Sequence, residues 1–109
     1  MELDLHTRWK ALLGSLSKRF DNDVDMQAII FMVGVQEVGK LKKRLNKDQK
    51  LDVMHVAICR LLSIYGYYEF VGRDEEGWPH WRLIEKMPSL NPFEQERLMK
   101  EAILEYFEQ

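Results

Sequence analysis

Apolar positions along the chain fall into two patterns that alternate with short polar breaks. Leu5, Trp9, Leu12, Leu13, Leu16 and Phe20 recur at steps of three and four, the stripe of a helix packed on one side, and predict a first helix from about Leu3 to Phe20. Asp21-Asn22-Asp23-Val24-Asp25 breaks it, since short polar side chains compete for backbone N–H groups and favour turns and caps. Asp23 is the expected cap of a second helix from about Val24 to Leu45. Ile29, Ile30, Phe31, Met32, Val33 and Val35 leave the middle of that helix without a polar face, so it should be covered on most sides. Gly34 and Gly39 lower its helix propensity. They admit either a close neighbouring backbone or a bend.

Asn46 followed three residues later by Gln49 is the signature of a capping box. The third helix then runs to about Tyr65. Leu51, Val53, Met54, Val56, Ala57, Ile58, Leu61, Leu62 and Ile64 make it a second heavily apolar helix, and Gly66 terminates it. From Tyr67 to Glu85 the period changes to two, with Tyr68, Phe70, Trp81 and Leu83 alternating with more polar neighbours around Asp74-Glu75-Glu76-Gly77. This predicts a β-hairpin, with an ordered aromatic loop as the alternative. Pro79 lacks an N–H and belongs at a strand start or an edge. Asn91-Pro92-Phe93-Glu94 opens a fourth helix with a cap, Pro at the first helical position and Glu at the third. Its stripe is Leu98, Ala102, Ile103, Tyr106 and Phe107. Glu96/Lys100 and Arg97/Glu101 are opposite charges at i,i+4 spacing.

The expected fold is therefore mainly α: four helices with a short hairpin between the third and fourth, in one domain over residues 1–109. The order of elements is similar to that of a winged-helix module. However, the third helix is too apolar to present a reading face and the hairpin tip is acidic. The net charge of −2 offers no bulk attraction to nucleic acid or anionic membrane. The basic run Lys40, Lys42, Lys43, Arg44, Lys47 and Lys50 can be read as phosphate-contacting, or as a solvated helix end that complements the dipole. No aromatics interleave with it, which weakens the case for single-strand binding. One cysteine, Cys59, forms no internal disulfide, and the chain shows neither a secretory leader nor a membrane-length apolar run. These features predict a cytoplasmic protein with no membrane partner.

No motif commits the chain to a reaction or a cofactor, and none of the zinc-binding spacings is present. Two constellations remain. On the third helix Asp52, His55, Cys59 and Ser63 share an arc, and on the second Glu37 lies beside Gln36 and Lys40. If the two arcs faced each other, Glu37, Asp52 and His55 would form a carboxylate–imidazole cluster suited to a metal or to acid–base catalysis. Otherwise they mark the solvent sides of their helices. The second constellation is Tyr67, Tyr68, Trp78, His80 and Trp81 around the acidic turn, an aromatic surface suited to binding. Its plainer role is to cover helix ends.

Leu51-Asp52-Val53-Met54-His55-Val56-Ala57-Ile58-Cys59-Arg60-Leu61-Leu62-Ser63, Asp74-Glu75-Glu76-Gly77-Trp78-Pro79-His80-Trp81 and Glu94-Gln95-Glu96 through Tyr106-Phe107 together resemble an uncharacterised family of small proteins from Bacteroidetes-type bacteria. The resemblance covers the second half of the chain and implies no activity. The leading expectation is a protein–protein interaction or adaptor module that uses the aromatic segment to bind a protein partner or a second copy. A metal-dependent or acid–base enzyme on Glu37, Asp52 and His55 is the alternative, ahead of a winged-helix nucleic-acid binder.

Overall fold

The computed structural model describes residues 4–39 and 44–108. Its elements run α1 (Leu5–Phe20), α2 (Met26–Val38), α3 (Lys47–Ser63), β1 (Tyr68–Arg73), β2 (Pro79–Leu83) and α4 (Pro92–Glu108). The mainly helical architecture with a hairpin between the third and fourth helices is as the periodicity predicts.

The helix starts follow the cap chemistry, with one shift. Asp4 accepts from Thr7 N–H at 2.8 Å and opens α1. The predicted start at Leu3 lies outside the described residues. Asp25, not Asp23, caps α2, accepting from Ala28 N–H at 2.8 Å. The Val24 N–H is already taken by Ser17 Oγ at 3.1 Å, and the Val24 side chain packs on the core, so the helix begins only after it. Asn46 and Gln49 form the reciprocal box at 2.8 and 3.0 Å that starts α3. Asn91 and Glu94 do the same for α4 at 2.8 and 3.1 Å.

The second helix stops well short of Leu45. It ends at Val38, and Gly39 leaves the helix at φ 93. Positive φ suits a residue without a Cβ. Arg44 and Leu45 are not helical, and Lys40, Lys42 and Lys43 lie outside the described residues. The last turn of α2 carries no cation of its own. Arg73 on β1 supplies one instead, donating to the Glu37 carbonyl at 2.7 Å and the Val38 carbonyl at 3.0 Å. A cation there meets the negative end of the helix dipole and satisfies carbonyls with no intrahelical partner.

Helices α2 and α3 make the most extensive helix–helix contact. Gly34 explains the closeness: a Cβ built there would lie 2.3 Å from the Val53 carbonyl oxygen. Ile29, Val33, Val53, Cys59, Leu61 and Ile103 are completely or almost completely buried. One core cluster joins α1, α2, α3 and α4 through Trp9, Leu16, Ile30, Ala57, Leu61 and Ile103. A second gathers Val38, Val53 and Val56, with Phe31, Val35, Leu45 and Trp78 against it. Trp78 thereby ties the hairpin to the α2–α3 pair. α1 and α4 pack on each other, and Arg8 bridges to Glu108 at 2.6 Å.

Candidate interaction site on the hairpin

β1 and β2 pair antiparallel, with Tyr68 opposite Leu83 and Phe70 opposite Trp81. These four side chains share one face, while Glu69 and Arg82, paired by a salt bridge, share the other. A bulge between Phe70 and Gly72 breaks the alternation, and Gly72 takes φ 136 there. Pro79 opens β2, where a missing donor costs the ladder nothing.

The tip is organised by Asp74. One carboxylate oxygen accepts from the Glu76 and Trp78 N–H groups at 2.9 and 3.0 Å, and the other shares a hydrogen bond with His80 Nε2 at 2.8 Å. His80 first, then the Trp78 N–H, holds the Asp74 carboxyl below its ordinary range. Gly77, at φ 83, closes the turn onto the Asp74 carbonyl at 2.9 Å. Arg73 reaches from this tip to the end of α2 and also holds the Gly77 carbonyl at 2.7 Å. The turn is a set of mutually satisfied groups anchored to the helical body.

A cavity of about 310 Å³ opens between α3 and the hairpin, lined by Asp52, His55, Val56, Trp78, Pro79, His80 and Trp81. Two residues of the first constellation, Asp52 and His55, thus meet three of the second, Trp78, His80 and Trp81. Tyr67 lines a different cavity with Pro88, Phe93 and Glu94, and Tyr68 pairs across the ladder with Leu83. His55 Nε2 lies 3.5 Å from Cys59 Sγ. Burial pushes the Cys59 thiol up to about 11, so it is an inert core thiol rather than a nucleophile. The Trp81 Nε1 atom is buried and meets no acceptor among the described residues.

Glu37 faces elsewhere. Its carboxylate accepts from Tyr106 Oη at 2.8 Å and lies 3.5 Å from Arg60 Nε, and the Arg60 guanidinium sits 5.1 Å from the Tyr106 ring centre. Burial and the neighbouring Glu37 carboxylate raise the Tyr106 hydroxyl far above its ordinary range. The carboxylate–imidazole cluster expected from Glu37, Asp52 and His55 does not assemble. α2 points Glu37 toward α4, whereas the face of α3 carrying Asp52 and His55 looks at the hairpin. Among the described residues no polar or charged residue is buried, and no three His, Cys, Asp or Glu side chains could hold a metal.

Sequence reasoning placed the exposed apolar surface on the wrong side chains. Tyr67, Tyr68, Trp78 and Trp81 are all half-buried. Phe70, Val71, Leu83 and Ile84 are the exposed ones, at 53%, 59%, 51% and 50%. They make up half of the eight large apolar side chains exposed among the described residues, all within one hairpin. The alternation of Phe70 and Leu83 was visible in the chain. What it could not show was that Trp78 packs against the α2–α3 pair while Phe70, Val71, Leu83 and Ile84 stay exposed.

Comparison with protein-family models, with curated proteins and with solved structures finds no match to this chain. Among the described residues no helix is long and apolar enough to cross a membrane.

Proposed function

We propose that this chain is a cytoplasmic interaction module that pairs with a second copy of itself through the hairpin. The carrying observation is the concentration of Phe70, Val71, Leu83 and Ile84, each half exposed or more, on or beside a hairpin that pairs with no third strand among the described residues. Clustered exposed apolar side chains mark interfaces, whereas scattered ones are ordinary. A lone two-stranded ladder is marginal and has no neighbour on either edge, so a second hairpin adds both hydrogen-bonding partners and apolar cover. The same patch on both copies gives a closed two-fold contact.

Sedimentation velocity over a concentration series tests this. The wild-type chain should move from monomer to dimer as concentration rises. Leu83→Glu, which puts a charge in the contact without touching the core, should remain a monomer throughout. A wild-type chain that is monomeric at every concentration, or a dimer that Leu83→Glu leaves intact, contradicts the reading.

A further inference from the structure

We propose that the second copy joins edge to edge: its β2 pairs antiparallel with β2 of the first, centred on Leu83, and the two hairpins become one four-stranded sheet in the order β1-β2-β2-β1. The inference rests on the self-association reading and names the strand and register through which it occurs. In an antiparallel ladder, pairs that exchange main-chain hydrogen bonds alternate with pairs whose N–H and C=O groups point to the outer edges. The Ile84 N–H donates to the Tyr67 carbonyl at 2.9 Å, which makes Tyr67/Ile84 a bonded position. The next position along, Tyr68 opposite Leu83, is then an unbonded one, and the Leu83 N–H and C=O point away from β1. Among the described residues Leu83 makes no main-chain hydrogen bond outside the ladder.

The two edges of the hairpin differ. On β2 and just after it, Arg82, Leu83, Ile84 and Glu85 are exposed in succession. On β1, Tyr68 and Glu69 are half-buried, and the bulge between Phe70 and Gly72 bends the strand. Bulges blunt an edge against further pairing, so β2 is the edge that a partner strand fits. Charge then selects the register. A two-fold pairing centred on Arg82 sets the two Arg82 side chains directly opposite each other, and one centred on Ile84 sets Arg82 opposite Lys86. Like charges facing across a ladder are destabilising. Centred on Leu83, the two Leu83 side chains face each other and Arg82 faces Ile84 of the second copy, while Arg82 keeps its salt bridge to Glu69. Phe70 and Leu83 share one face of the ladder, so the joined sheet gathers both, from each copy, onto one apolar surface.

Amide hydrogen exchange of the full wild-type chain, followed by nuclear magnetic resonance at concentrations where sedimentation shows monomer and where it shows dimer, tests the edge. Exchange at the Leu83 N–H should slow at least about tenfold on dimerisation, because an edge donor becomes a ladder donor. The Phe70 N–H on the outer edge of β1 should be unchanged. The register has its own signal in a mixture of labelled and unlabelled chains. Arg82 and Ile84 of the second copy form a close unbonded pair, about 4.5 Å between Cα atoms, so their Hα protons should show an intermolecular contact. A dimer in which Leu83 exchanges as fast as in the monomer, or in which protection falls on Phe70 instead, overturns the edge pairing while leaving self-association through Leu83→Glu-sensitive contacts in place. An intermolecular contact between the two Arg82 Hα protons overturns the register. A chain that is monomeric at every concentration overturns both this proposal and the reading it rests on.

Discussion

A residue's role depends on neighbours far away in the chain. Glu37 stands out as a carboxylate on an apolar helix, which invites a catalytic reading. Its actual partners are Tyr106 and Arg60, and together they join α2, α3 and α4. No local pattern announces a partner 69 positions away. Tyr106→Phe keeps the ring and removes the donor, and should cost about 1.5–3 kcal/mol in urea denaturation, the range of a hydrogen bond to a charged group. Cys59 supplies a second test. Its thiol titrates at about 11 in the folded chain against an ordinary 9.0. A raised value means that the unfolded chain loses its proton first, so this contribution is complete below pH 9.0 and is lost as pH rises toward about 11. Cys59→Ala should therefore delay the onset of alkaline destabilisation, leaving the tyrosines to begin it near their ordinary 10.0. An unchanged alkaline limb in denaturation curves recorded from pH 8 upward would mean that the thiol is not held in its protonated form by burial.

At the scale of elements, capping chemistry was legible because it is local. Asn46 with Gln49 and Asn91 with Glu94 formed the boxes that their spacing announced. The end of α2 was not legible, because Arg73, far along the chain, holds its last carbonyls across the fold. Arg73→Ala should loosen the hairpin from the body, seen as faster amide exchange at Gly77 and in the last turn of α2. The glycines give an opposed pair. Gly34→Ala forces a Cβ into the Val53 backbone and should cost about 1–3 kcal/mol, as overpacking does. Gly14, on the exposed side of α1, meets nothing within 4 Å, so Gly14→Ala should stabilise by about 0.5–1 kcal/mol through helix propensity. Equal effects of the two changes would dispose of the close α2–α3 approach.

For the whole molecule, the contrast between all-round apolar helices and striped ones foretold the architecture. α2 and α3 form the central pair, and the stripes of α1 and α4 close over it. Ile30→Ala or Leu61→Ala should accordingly cost about 2–5 kcal/mol, the range of a large-to-small core change. The hairpin was legible as an element, and its two-residue period set the ladder. Which of its side chains the body would cover depended on how the hairpin docks, and alternation carries no information about that. Docking seats Trp78 on the α2–α3 pair, ties Arg73 to the end of α2 and leaves Phe70, Val71, Leu83 and Ile84 exposed. Those four side chains are the proposed contact between two copies of the chain. Isotope-filtered nuclear Overhauser spectroscopy on a mixture of labelled and unlabelled chains tests it most directly. Contacts are expected between the Leu83 or Ile84 methyls of one copy and the Phe70 ring or Val71 methyls of the other. A spectrum in which those protons show no intermolecular contact, or in which the contacts fall instead on Phe20, Leu51 or Phe93, would contradict it.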